Sequence, residues 1–286
     1  MDFAGWIALP EVLPWAALAF GLCVGSFLNV VVHRVPRMMD REWRAQCAEL
    51  EGRETAPAPR YNLVVPRSAC PSCGRMIRAH ENVPVASWLF LRGRCAGCKA
   101  RIPVRYPVVE VAGGAIAAYA AARYGASLAA LGAMVFSWTL LALALIDYDT
   151  QYLPDDLTLP LVWGGLAFNV AGTFVPLSSA VIGAMAGYLS LWLVYWGFKL
   201  ATGKEGMGYG DFKLLAAIGA WLGWAMLPLV ILLSSVVGAI LGIAMIAARR
   251  HGRDKPMPFG PYLAAAGAIA LFWGPEIARR WLPPIG

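Results

Sequence analysis

Apolar runs separated by short polar breaks recur along the chain, and a helix crossing a bilayer of ~30 Å needs roughly 17 to 25 such residues. Eight runs are candidate spans: Pro14 to Val32, Val108 to Tyr124, Leu128 to Ile146, Leu157 to Val175, Ala180 to Phe198, Phe212 to Leu227, Leu229 to Ala247 and Phe259 to Gly274. Between the sixth and seventh only Pro228 marks a break. A hairpin is expected there because Phe212 to Ala247 is too long for one span. The pattern predicts an all-α polytopic membrane protein with about eight transmembrane helices. The first run has no Lys or Arg before it, the nearest being Arg34 behind it, so it is not expected to be a cleaved signal peptide.

Composition agrees. Of 286 residues, 59% are apolar and 14% charged, with a mean hydropathy of +0.59. Charge is concentrated: residues 34–107 carry 14 Lys/Arg and 6 Asp/Glu, whereas the rest of the chain is nearly neutral. Basic charge gathered in one loop of an apolar chain is a topology signal, and no nucleic-acid motif accompanies it. With residues 34–107 cytoplasmic, the remaining inner loops are Asp147 to Asp156, Lys199 to Asp211 and Arg249 to Pro258. The last two carry Lys199, Lys204, Arg249, Arg250, Arg253 and Lys255. Outer loops near Gly125, Pro176 and Pro228 carry only Arg123, and both termini are expected outside. Three regions follow: a first helix over 1–33, a cytoplasmic domain over 34–107 and a membrane core over 108–286.

The cytoplasmic domain holds Cys70-Pro71-Ser72-Cys73 and Cys95-Ala96-Gly97-Cys98, two C-x-x-C knuckles. Each presents two thiolates, and four sulfurs around tetrahedral Zn²⁺ would close a loop with too few apolar residues to fold alone. Gly74 and Gly97 are expected to ease the turns around the metal. Two disulfides or a redox pair are the alternatives; a reducing cytoplasm and the lack of a thioredoxin-like βαβ pattern weigh against them. Four sulfurs fill the coordination sphere, so this zinc is expected to be structural. Cys23 and Cys47 are expected to be ordinary small residues.

Ionisable groups at membrane depth are functional suspects. Asp147 ends the apolar stretch Leu140 to Ile146, and Asp211 follows Gly206-Met207-Gly208-Tyr209-Gly210, opening the sixth run. The topology puts both at the cytoplasmic ends of their spans, where they could meet. Two close carboxylates in a poorly solvated place form the acid–base pair of an aspartic peptidase. Glycines at 206, 208 and 210 would admit an extended substrate close to the backbone. The structural alternative for Asp211 is a carboxylate favoured by a helix N-terminus. Asp149, Asp155 and Asp156 are expected to be solvated or capping, with Asp156 capping a helix that starts at Leu157. The G-x-G-x-G run has no βαβ unit around it and makes a poor dinucleotide site.

Taken together, these residues resemble the bifunctional prepilin peptidases, polytopic aspartic peptidases of the G-x-G-D class that also act as N-methyltransferases. The resemblance runs through Gly25 to Arg34, both cysteine knuckles, Asn82 to Trp88, Leu91 to Cys95, Arg105 to Glu110, Leu145 to Asp147, Leu153 to Pro160 and Gly208 to Leu214. It implies that Asp147 and Asp211 are the catalytic pair, with Gly208 and Gly210 beside the substrate. It implies cleavage of a basic leader from type IV prepilins or type II secretion pseudopilins at the inner face of the bacterial cytoplasmic membrane. Methylation of the new N-terminus with S-adenosylmethionine would follow. Glu110, Asp149, Asp155 and Asp156 are candidate contacts for the leader. The methyltransferase activity is attached to residues 34–107 as a region, with no donor-binding residue named, and residues 38–59 match no motif. A transporter predicts acids at the bilayer midplane and repeated halves with broken helices, and neither is present. A zinc-clipped assembly scaffold without chemistry is the other alternative.

Overall fold

The computed structural model describes residues 10–53, 59–247 and 258–281. Among them there is no strand; the only bridges are Ala69 to Met76 and Arg94 to Arg101. The basic loop positions Arg249, Arg250, Arg253 and Lys255 lie outside the described residues. The chain divides into two compact units, Met1–Ala130 and Leu131–Gly286.

In the first unit, α1 spans Leu13–Leu50, a short α2 spans Ala86–Phe90 and α3 spans Arg105–Tyr124. Helix α1 does not end by residue 33 as expected: it runs on through Pro36 to Leu50. Residues 37–50 are rich in Arg, Met, Glu, Ala and Leu, all good helix formers. An Asp40–Arg44 pair one turn apart adds to this segment. Much of the stretch expected as a motif-free excursion is therefore helix. Helices α1 and α3 meet through glycines. A Cβ on Gly21 would stand 2.6 Å from the Gly113 carbonyl oxygen, and one on Gly25 would stand 2.6 Å from Glu110 Cα. Four-residue spacing puts Gly21 and Gly25 on one face, the small-residue contact by which membrane helices approach closely.

The second unit contains α4 (Leu128–Thr150), α5 (Asp155–Val170), α6 (Leu177–Thr202), α7 (Tyr209–Leu222), α8 (Leu227–Ala247) and α9 (Gly260–Trp281). The sequence pattern puts a break at Pro228. The structure puts it at Gly223, whose φ of 74° ends α7, with a 3₁₀ turn over Trp224–Met226. Pro228 instead lies in the first turn of α8, where its missing N–H costs nothing. Helix α5 begins at Asp155, two residues earlier than expected, so Asp156 lies inside the first turn and does not cap the helix.

Helix α7 is the core of this unit. Its 14 residues are buried from Asp211 to Leu222 except Lys213, because its faces are apolar all round. Helix α6 crosses it at glycines, with Gly183 and Gly219 in direct contact and a Cβ on Gly187 only 2.6 Å from the Leu215 carbonyl oxygen. Trp221 is ringed by Phe136, Phe168 and Phe174 and donates its indole N–H to the Leu161 carbonyl. The last carbonyls of a helix lack partners. Here buried Asn169 Nδ2 donates to those of Ala220 and Trp221, while its Oδ1 accepts from the amides of Phe174 and Val175.

Among the described residues four helical segments are long and apolar enough to cross a membrane: Leu13–Leu50, Leu128–Thr150, Leu177–Thr202 and Trp224–Ala244. At 14 residues α7 extends about 21 Å, short of a ~30 Å hydrocarbon core.

Replacing Asn169 by Ala strands two carbonyls and two amides in an apolar interior. An Asn169→Ala variant is expected to lose about 2–3 kcal/mol of stability, read as a lower unfolding temperature in detergent. Unchanged unfolding would remove Asn169 from the fixed end of α7.

Candidate active site and metal centre

Asp147 lies in the last turn of α4 and Asp211 in the first turn of α7, and both side chains are buried. They come from helices of the same unit. Their local fields differ. A helix C-terminus is hostile to a carboxylate, whereas the third residue of a helix is favoured by the dipole. Asp147 is compensated from elsewhere: Gly260 N–H, at the start of α9, donates to Asp147 Oδ2 at 3.0 Å. The next residue, Pro261, has no N–H, and the amides of Tyr262 and Leu263 turn back to the Phe259 carbonyl. The first free N–H of α9 is thus given to Asp147. A Cβ at Gly260 would stand 2.7 Å from Oδ2 and 3.1 Å from Cγ. Only glycine fits there without moving the carboxylate, a constraint invisible until the two segments, far apart in sequence, are brought together.

Among the described residues no cation pairs with Asp147 or Asp211. The nearby Lys213, two residues beyond Asp211, is held by both oxygens of Asp155 at 2.7 Å. Asp155, expected to be solvated or capping, is therefore engaged. Asp149 is exposed, beside exposed Tyr148.

Of the glycines expected to admit substrate, two have neighbours within the protein. A Cβ on Gly210 would meet Leu153 at 2.8 Å, and one on Gly206 would meet Phe198 at 3.0 Å. At Gly208 a Cβ would meet only Gly210 N, at 4.0 Å. The loop before α7 is also tied down by Lys199, which pairs with Glu205 at 2.8 Å and lies over the rings of Tyr195 and Trp196.

Glu110 belongs to the first unit. It is buried, and its Oε2 accepts from the Val85 amide at 2.7 Å, so this carboxylate holds the polypeptide together there.

In that unit the sulfurs of Cys70, Cys73, Cys95 and Cys98 lie within 4.8 Å of one another, with Cys70 and Cys98 3.8 Å apart. Tetrahedral Zn²⁺ with bonds of about 2.3 Å needs sulfurs about 3.8 Å apart, so the cluster fits such an ion. The knuckles are built alike. Cys70 N–H donates to the Arg75 carbonyl and Cys95 N–H to that of Ala100; Gly74 and Lys99 N–H return to the carbonyls of Cys70 and Cys95. Gly74 and Lys99 hold the matching positive φ angles of 68° and 62°. Gly97, expected to ease the turn of its knuckle, does not make it: it lies between the cysteines, its Cβ position 3.1 Å from Arg75 Cδ, and Lys99 makes the turn. Backbone N–H groups of Ser72 and Cys73 bring the Cys70 thiol down to about 6. The Ala100 N–H favours the Cys98 thiolate, yet burial and the neighbouring thiols push Cys98 up to about 11. Cys23 and Cys47 are both exposed and free.

Residues 19–124 match the family model of the bacterial peptidase A24 N-terminal domain, and residues 134–243 match that of the type IV leader peptidase family. A prepilin leader peptidase/N-methyltransferase from Aeromonas salmonicida is 55% identical over 287 residues, covering 98% of each chain. The chain belongs to the type IV leader peptidase family. It is accordingly an enzyme combining peptidase and N-methyltransferase activities. Similar relatives with the same name come from Pseudomonas aeruginosa, 56% identical over 266 residues (93% of this chain, 92% of its own), and Burkholderia pseudomallei, 55% identical over 276 residues (95% and 89%). No solved structure matches the chain.

Gly260→Ala puts a methyl group where the Asp147 carboxylate now sits, and the carboxylate is the movable partner. Alanine also suits a helix start at least as well as glycine. The variant is expected to keep its unfolding temperature while leader cleavage falls about 10- to 100-fold. Full activity would show that the close fit at Gly260 does not position the site.

Proposed function

We propose that the peptidase removes the basic leader of prepilins or pseudopilins with Asp147 and Asp211 as its acid–base pair. The observation that carries this reading is two buried carboxylates at the ends of separate helices of one unit, with no cation paired to either among the described residues. Structural carboxylates in such surroundings are ordinarily paired or neutralised. In this mechanism the ionised member takes a proton from a water that attacks the scissile carbonyl. The protonated member polarises that carbonyl and then supplies a proton to the leaving nitrogen. Gly260 N–H keeps the Asp147 carboxylate oriented, and Asp155 keeps the Lys213 ammonium away from the pair. Substrate backbone passes at Gly208, the open glycine of the loop. Asp149 and Asp156, both exposed, are the acids of this set proposed to meet leader Lys or Arg.

The distribution of Lys and Arg supports eight spans with residues 34–107 cytoplasmic and both termini outside. The domains of the reading are a first helix over 1–33, a cysteine domain over 34–107 and a peptidase core over 108–286. Cys70, Cys73, Cys95 and Cys98 would hold structural Zn²⁺, cross-linking two knuckles that have few apolar neighbours. S-adenosylmethionine, when bound, supplies an electrophilic methyl group for the newly exposed amine. The activity that uses it is placed in residues 34–107, where no nucleotide-binding fingerprint accompanies the cysteines.

The test is mass spectrometry of a full-length prepilin incubated with the purified protein, with and without methyl donor. Wild type is expected to release the leader, with about 14 Da added to the new N-terminus when donor is present. Asp147→Asn and Asp211→Asn are each expected to lower cleavage by a factor on the order of 10³ or more while unfolding like wild type. Appreciable turnover by either removes that residue from the pair.

Metal analysis of the same preparation is expected to find about one zinc per chain, and Cys70→Ser to lose both the metal and the stability of the cysteine domain. A folded, active, zinc-free preparation would refute the clip.

A further inference from the structure

The cysteine domain carries an apolar tip that its own fold does not cover. Leu89 and Phe90, at the end of α2, are 61% and 87% exposed, and Val83 before them is 49% exposed. This tip is rigidly built. Ser87 Oγ donates to the His80 carbonyl and accepts from Val83 N–H, Trp88 Nε1 donates to the Ile102 carbonyl, and Gly93 packs under the Trp88 ring. Rigid exposure of two large apolar side chains in sequence marks an interaction surface.

Its depth relative to the bilayer can be read from the helices beside it. Asn29 Nδ2 donates to the Tyr106 carbonyl at 3.1 Å, and Gly25 packs directly on Glu110. Residues 106–110 of α3 therefore lie alongside residues 25–29 of α1. Those α1 residues lie inside its apolar run, which ends at Val32; Gly25 is about 10 Å of helix from that end. The Val85 amide, which starts the tip, is bonded to Glu110 Oε2 at 2.7 Å. That hydrogen bond ties the start of α2 to Glu110, beside Gly25 of the α1 apolar run, and so to the inner part of that run. Arg92 and Arg94, both exposed, follow the tip at the spacing of an interfacial anchor with basic flanks.

We propose that Val83 to Leu91 is a membrane-interface anchor, with Leu89 and Phe90 seated among the acyl chains of the inner leaflet and Arg92 and Arg94 against lipid phosphates. It would hold the cysteine domain flat on the membrane, where an amine freed at the inner face emerges. The inference rests on α1 and α3 spanning the bilayer.

The test uses the full chain in vesicles of phosphatidylethanolamine and phosphatidylglycerol, with p-benzoylphenylalanine in place of Phe90, of Phe20 on the apolar run of α1, or of Lys99 on the second knuckle. Each variant is checked for leader cleavage and then photolysed, and the intact mass is read. Phospholipid adducts are expected at positions 20 and 90, at least fivefold more than at 99. Adducts at 20 with none above the Lys99 level at 90 would overturn the anchor and leave the span intact. Cross-linking of position 90 to a second copy of the chain, or to added prepilin, would overturn it in favour of a protein interface. No adduct at 20 would overturn the spanning reading and the anchor with it.

Discussion

The site depends on how tightly α7 is held. Fourteen residues cannot cross a membrane alone, and a helix that short is marginal without packing. It persists because neighbours cover it: α6 at the Gly183 to Gly219 contact, an aromatic ring around Trp221, and Asn169 over its final carbonyls. Each fixes rotation or depth, and Asp211 in the first turn inherits both. The other carboxylate is set from a different direction, by the first amide of α9. Asp147 and Asp211 are thus set by one helix end and two helix starts, with Gly260 leaving room for the Asp147 carboxylate.

This arrangement uses glycine in two ways that composition does not separate. At Gly183, Gly187 and Gly219 the missing side chain lets backbones touch, and at Gly260 it leaves room for one carboxylate. At Gly208 a Cβ would meet only Gly210 N, at 4.0 Å, among the described residues.

Much was legible in the chain because the informative features are local. Apolar runs announced the helices, paired C-x-x-C knuckles announced a sulfur cluster, and acids at the ends of apolar runs drew attention to Asp147 and Asp211. What escaped depends on tertiary contact. Gly260 is unremarkable until Asp147 lies against it, Asn169 reads as a polar interruption until α7 ends beside it, and Asp155 reads as a turn residue until Lys213 reaches it. The extension of α1 to Leu50 escaped for another reason: its apolar signal ends near Val32, while its helical propensity does not.

The central claim is that Asp147 and Asp211 act as one chemical unit. Leader-cleavage rates of the double variant Asp147→Asn/Asp211→Asn beside each single variant test it most directly. Residues that share one proton-transfer apparatus are strongly non-additive, so the double variant is predicted to be no slower than the slower single. Losses that multiply would mean two independent contributions and would contradict the pair.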